Sequence, residues 1–173
     1  MTESPFTYRL EQPADNTEIE TLHARTFGPG RFARAAFRLR EDVPPDPALS
    51  FVALAGDELV ASVRLTPIRI GDRPALLLGP LAVKPAHTGR GAGKQLVRIA
   101  VQAAREAGHN VILLVGDEPY YGPLGFTRLQ RNAITLPAPV DPDRVLVAGL
   151  TADALEGLSG GAKRVPTALP GTR

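Results

Sequence analysis

The stretch LLLGPLAV (76–83), continued by KPAHTGRGAGK (84–94) and QLVRIAVQAAR (95–105), decides the fold. Its first part is a nearly unbroken apolar run, the pattern of a strand covered on both faces. Its last part repeats apolar residues at helical spacing, with Leu96, Val97, Ala100, Val101 and Ala104 on one side. Between them, Gly89, Gly91 and Gly93 alternate with Thr88, Arg90, Ala92 and Lys94. Glycines let a backbone turn sharply and lie close to a ligand. A helix that starts there aims its unpaired N–H groups and positive dipole end at whatever fills the turn. The pattern therefore reads strand, anion-binding turn, helix, with a phosphate as the expected anion.

Two nucleotide patterns fail at this turn. A phosphate-binding loop of the form G-x-x-x-x-G-K-[ST] needs glycine where Thr88 stands and Ser or Thr where Gln95 stands. The dinucleotide fingerprint G-x-G-x-x-G fails because Gly89, Gly91 and Gly93 are spaced by twos. A glycine-rich connection with no ligand remains the plain alternative.

Working outward, residues 6–11 alternate as a first strand. Asp15 or Asn16 caps a helix over 18–27 whose apolar side is Ile19, Leu22 and Phe27. Gly28-Pro-Gly30 breaks it, and a basic helix follows over 32–40 with Phe32, Ala35, Ala36 and Leu39 inward. Prolines force a loop over 41–47. Residues 50–55 and 58–66 form a hairpin about Gly56-Asp57, and a turn at 71–74 leads into the strand at 75–83. The long helix stops near Gly108, and 111–115 is a short buried strand, parallel to 75–83 across the helical crossover. Pro119 opens a single helical turn, 126–136 is a strand, 144–149 is a last strand, and 151–156 is a short capped helix. One domain over 1–158 and a tail over 159–173 are expected.

Composition removes several classes of function. The chain has 173 residues, a net charge of +2 and no cysteine. It therefore has no disulfide framework, thiolate nucleophile or cysteine-based metal site. His23, His87 and His109 lack ligand spacing, so no metal is expected. The modest charge gives no nucleic-acid footprint. No apolar run approaches the ~20 residues of a membrane span and no signal peptide is evident, so a cytoplasmic protein without membrane association is expected.

The glycine turn resembles the acyl-CoA turn of the GNAT superfamily of N-acetyltransferases, R/Q-x-x-G-x-G/A. Gly91 and Gly93 match its glycine pair, while the expected Arg or Gln falls on Thr88. A second segment, GDEPYYGPLGF (116–126), resembles the family signature F-Y-x-x-x-G-F, with Tyr120-Tyr121 and Gly125-Phe126 in register. The resemblance runs from about residue 49 to 136. It implies an α/β fold: a mixed, mostly antiparallel sheet of about seven strands, helices on both faces, and a splayed pair of parallel strands. It also implies acetyl-CoA as cosubstrate. The pyrophosphate would lie on Thr88, Gly89, Arg90, Gly91, Ala92, Gly93 and Lys94, and the pantetheine arm along the main chain of Leu81, Ala82 and Val83. Pro80 has no N–H to offer.

The implied chemistry is direct acetyl transfer to a primary amine of a small molecule or peptide, with a homodimer left open. By the same resemblance Tyr121 would be the acid that protonates the leaving thiolate, with Tyr120 as its rival; either is otherwise an amphipathic core residue. A backbone N–H at Leu81 or Ala82 would hold the oxyanion. The glutamate that many relatives carry on the central strand is absent, since Gly79 and Pro80 stand there. Asp117 and Glu118, at the end of the neighbouring strand, are the acids that would act through water or bind a cationic amine; Asp in such a proline-flanked turn equally serves local hydrogen bonds. Proximity alone supplies about 7–11 kcal/mol, so a strong dedicated base is dispensable. The missing glutamate keeps a non-catalytic acyl-CoA-binding or regulatory protein as the alternative. In this family the early helical pair shapes the acceptor pocket. Arg31, Arg34, Arg38 and Arg40 would then attract an acidic acceptor or, alternatively, form a solvated helix face.

Overall fold

A computed structural model describes residues 4–165. The strands are β1 (Thr7–Leu10), β2 (Phe51–Ala55), β3 (Glu58–Ile70), β4 (Arg73–Val83), β5 (Val111–Val115), β6 (Thr127–Arg128), β7 (Ile134–Thr135), β8 (Val145–Gly149) and β9 (Gly160–Arg164). The helices are α1 (Asn16–Phe27), α2 (Ala35–Arg40), α3 (Ala92–Glu106) and the single turn α4 (Glu118–Tyr121). The main sheet runs β1-β2-β3-β4-β5-β8-β6, antiparallel except for β4 against β5. No helix among the described residues is long and apolar enough to cross a membrane.

The central strand is covered on both sides. Leu76 and Leu78 pack with Leu96, Val97, Ala100 and Ala104 of α3, whereas Leu77 packs with Leu39 of α2. Burying each Leu or Val of this α3 face contributes about 1.5–3 kcal/mol, so packing rather than propensity holds the helix. α1 lies on the α2 side through Ile19 and Leu22, against Val52, Leu59 and Ala82.

Between Leu78 and Leu81, β4 carries two residues, Gly79 and Pro80, opposite the single Arg64 of β3. This is a β-bulge. It reverses the alternation, so Leu81 and Val83 now face the α3 side and Ala82 faces α1. Gly79 has φ +133°, a conformation that side-chain-bearing residues rarely adopt.

Several local expectations differ from the structure. Asp15 does not cap α1; its carboxylate accepts from Arg9 at 2.7 and 3.0 Å and from the Gln12 N–H at 2.7 Å. The basic helix over 32–40 is split, because Arg34 is extended at φ −70°, ψ 144° between a 3-10 turn (Pro29–Ala33) and α2. Phe32 is consequently half exposed rather than inward. The strand expected over 126–136 survives only at its ends. Asn132 adopts a left-handed φ of +63°, and the Ala133 N–H bonds to Gln130, forming a turn between β6 and β7. Residues 151–156 form turns instead of a helix, and a helix this short has little to offset its nucleation cost. The strand over 144–149 is not the last one. In the expected tail, Gly160–Arg164 forms β9, which pairs with β3 at Ile68–Ile70 and with β7. Residues 166–173 of that tail lie outside the described residues.

Candidate active site

β4 and β5 pair at only two positions, Leu76 with Ile112 and Leu77 with Leu113. Beyond these the strands part, and a cavity of about 420 Å³ opens between them. That lies within the size range of small-molecule sites. Leu78 to Leu81 and Val83 form one side, and Val115 to Asp117 with Tyr120 and Tyr121 form the other. Residues of α1, α2 and their connection, from Thr26 to Arg40, close the cavity.

The strand register decides which amides face this gap. The Lys84 N–H bonds to Val60 O at 2.8 Å. Antiparallel alternation then turns the Ala82 amide toward Ser62 and leaves those of Leu81 and Val83 on the cleft side. Of the two sequence candidates for an oxyanion donor, Leu81 is therefore available and Ala82 is engaged within the sheet.

At the end of the gap the chain bends through Thr88, whose hydroxyl donates to Pro85 O at 2.7 Å, into α3. Gly89 and Gly91 have φ of +77° and +92°. Gln95 donates to Gly91 O and closes the first turn of the helix. Among the described residues, the amides from Gly89 to Lys94 find no acceptor, which leaves a row of donors at a positive helix end. Gly93 is where main chain and tyrosine meet: a β-carbon there would sit 2.8 Å from Tyr120 Oη and 3.3 Å from Val83. The Lys94 ammonium lies 5.4 Å from the Tyr120 ring centre. Arg90 is exposed, its guanidinium 5.6 Å from the Phe6 ring centre.

α4 brings the tyrosine pair to the cavity. The Tyr120 and Tyr121 amides both donate to Asp117 O, and Phe126 donates to Tyr121 O. The two rings meet edge to face at 4.7 Å. Tyr121 lies so close to Gly116 that a β-carbon there would overlap its ring. Burial, helped by Tyr120 and Asp117, pushes the Tyr121 phenol up to about 12. Burial also raises Tyr120. Both hydroxyls thus stay protonated across the physiological range.

The acids are less suited to catalysis. Asp117 lines the cavity but is largely exposed, and Arg144 Nε donates to it at 3.2 Å. Glu118 is engaged by Arg128. His87 lies against Phe6 and 3.7 Å from Glu58, away from the gap.

Several contributors carried no sequence signal: the bulge at Gly79-Pro80, Arg144, and a polar cluster beneath the bulge. There the buried Arg64 donates to Glu11 at 2.8 and 3.0 Å, to Glu20 at 3.1 Å and to Asn16 at 3.1 Å. Of the four arginines named from the sequence, Arg31, Arg34 and Arg40 line the cavity; Arg38 points outward, 3.8 Å from Glu41.

A family profile described as the acetyltransferase (GNAT) family matches residues 16–126. The chain belongs to this family. It is 31% identical over 130 residues to the uncharacterized N-acetyltransferase YjhQ of Escherichia coli K12, covering 73% of this chain and 72% of that one. It is 27% identical over 157 residues to the uncharacterized N-acetyltransferase YhbS of the same strain, covering 88% and 92%. The crystal structure of E. coli YhbS in complex with CoA shares the fold, with a TM-score of 0.80 at 24% identity over 95% of this chain and 92% of that one. A GNAT acetyltransferase from Brucella melitensis, solved with acetyl-CoA, has a TM-score of 0.59 at 24% identity over 89% and 100%. This GNAT acetyltransferase thus has the mixed, mostly antiparallel sheet and parted parallel pair that its sequence implies.

Proposed function

We propose that the chain transfers an acetyl group from acetyl-CoA directly to a primary amine held in the arginine-lined cavity. The observation that carries this reading is the gap between β4 and β5, ending at the unpaired amides of 89–94. The pyrophosphate would rest on those amides, beside Thr88, Arg90 and Lys94. The pantetheine arm would run along the free edge of β4, bonding to Leu81 and Val83. The relatives solved with CoA and acetyl-CoA support the choice of ligand.

In this pose the amine nitrogen attacks the thioester carbonyl. A C–N bond forms, the C–S bond breaks, the nitrogen loses a proton to solvent and the sulfur gains one. The Leu81 N–H stabilises the developing oxyanion. Tyr121 hydrogen-bonds to the sulfur and shares its proton as negative charge accumulates there. Its high pKa makes complete transfer to a thiolate uphill, so the main contribution is donation to the transition state. Arg31, Arg34, Arg40 and Arg144 face a single cavity acid, Asp117. Such a surplus of cations favours the neutral amine over the ammonium and lessens the need for a dedicated base.

The test is thiol release from acetyl-CoA with a panel of amines, with products identified by mass. Acetylated product and release that depends on amine are expected. CoA binding without turnover of any amine would replace this reading with that of an acyl-CoA-binding protein.

A further inference from the structure

Behind Pro80 a second bay of about 220 Å³ adjoins the main cavity on the α1 side of the bulge. Arg31, Phe37, Arg40 and Pro80 line both spaces. Every acid of the bay already has a cation within 4 Å: Glu20 has Arg64, Glu41 has Arg38 and Asp42 has Arg164. The Arg40 guanidinium has neither a carboxylate within 4 Å nor a hydrogen bond among the described residues. Arg31 spends one N–H on Gly28 O and has no acid partner among the described residues. Aromatic rings hold both guanidiniums in place and leave their forks open. Arg31 lies 4.1 Å from the Phe32 ring centre, Arg40 lies 5.2 Å from that of Phe37, and the two rings meet edge to face. Burial, with the charge of Arg64 added, draws Arg40 down to about 10, so it remains cationic at neutral pH without a partner. A second buried group lines the bay: His23 is 5% exposed, and its Nε2 has no hydrogen-bond partner.

We propose that the acceptor is an amine that also carries a carboxylate, which seats on Arg40 and Arg31 in the bay beside His23 while the amine reaches the gap between β4 and β5. The inference rests on the acetyl-transfer reading and adds its substrate class. A carboxylate matches the planar guanidinium fork with two parallel bonds. It supplies the counter-charge that a half-buried arginine otherwise lacks. Single charge is favoured over a phosphate dianion because Glu20, Glu41 and Asp42 also border the bay.

The experiment compares amino acids and ω-amino acids with their own amides, using the full chain and acetyl-CoA, with phosphoethanolamine as a further arm. In at least one pair the carboxylate should exceed its amide in kcat/KM by about tenfold or more, the size expected for one charge-assisted contact. Arg40→Gln should erase that ratio through KM, Arg40→Lys should restore part of it, and the Kd for CoA by calorimetry should stay unchanged. Arg31→Gln repeats the test if Arg40→Gln melts early. Equal use of acids and amides, a preference for phosphoethanolamine, or a ratio indifferent to both arginines would overturn the proposal. If no amine is acetylated, the acetyl-transfer reading falls by itself. Calorimetric binding of the amino-carboxylates then decides this one: binding that Arg40→Gln abolishes upholds it, and no binding ends it.

Discussion

The two walls of the cleft are made of different material. The wall of β4 and the turn into α3 presents main chain: the free edge at Leu81 and Val83, and the amides of 89–94. The wall of α1 and α2 presents side chains: Phe27, Phe37 and three arginines. The first needs glycines at fixed positions and tolerates little else, because φ of +77° and +92° excludes most residues. The second needs only that a few long side chains be held at the right depth. A main-chain wall suits the part of a ligand that never changes, and a side-chain wall suits the part that differs from enzyme to enzyme.

What props up the side-chain wall is the buried Arg64 cluster, which ties the end of β1 and helix α1 to the bulge. Replacing Arg64 with Met strands Glu11, whose side chain is only 12% exposed, without its cation. A loss of about 3–5 kcal/mol in unfolding free energy is expected, measured by urea denaturation. A loss below about 1 kcal/mol would show that the two walls stand independently of this cluster.

Tyr121→Phe probes the chemistry that faces the main-chain wall from across the gap. Removing the donor should lower kcat about 100-fold, or about 2.7 kcal/mol, with the Kd for CoA little changed. If Tyr120→Phe gives the larger drop instead, the roles of the pair are exchanged.

Gly93→Ala asks how tightly that wall is built. The added β-carbon meets Tyr120 Oη at 2.8 Å and Val83 at 3.3 Å. Affinity for CoA should fall about tenfold, roughly 1.4 kcal/mol by calorimetry, since the tyrosine hydroxyl can yield but the Val83 methyl sits on a stiff β-branched side chain. Unchanged affinity would mean that the turn has slack the contacts do not suggest.

The same division governs how much of the molecule is legible in its sequence. The main-chain wall is written locally: the apolar run of β4, the glycines at 89, 91 and 93 and the apolar face of α3 lie within one stretch. Tyr120 and Tyr121 are legible by motif, and α4 sets both at the cavity. The side-chain wall depends on partners far apart in sequence. Arg64 pairs with Glu11 across 53 positions, which no periodicity records. β9 likewise depends on the close approach of Gly160 to Gly71, where a β-carbon would meet main chain at 3.0 Å. The split of the basic helix at Arg34 has no breaker residue of its own.

His23 carries the smallest effect, and one specific to the side-chain wall. Burial, reinforced by the charge of Arg64 against the opposing Glu20, lowers its pKa from 6.5 to about 4. The folded imidazole therefore resists a proton that the unfolded chain accepts. The sign follows: its contribution is complete above pH 6.5 and is lost progressively as pH falls toward 4. Between pH 7 and 5.5 the native state should lose about 1 kcal/mol from this group alone. His23→Leu, which keeps the site apolar, should flatten that part of the stability profile measured by urea denaturation at each pH. The difference between the two proteins isolates the imidazole from every carboxylate that titrates in both. Parallel profiles for the two would mean that water reaches Nε2, and the bay would then be a wet surface pocket rather than a buried part of the acceptor wall.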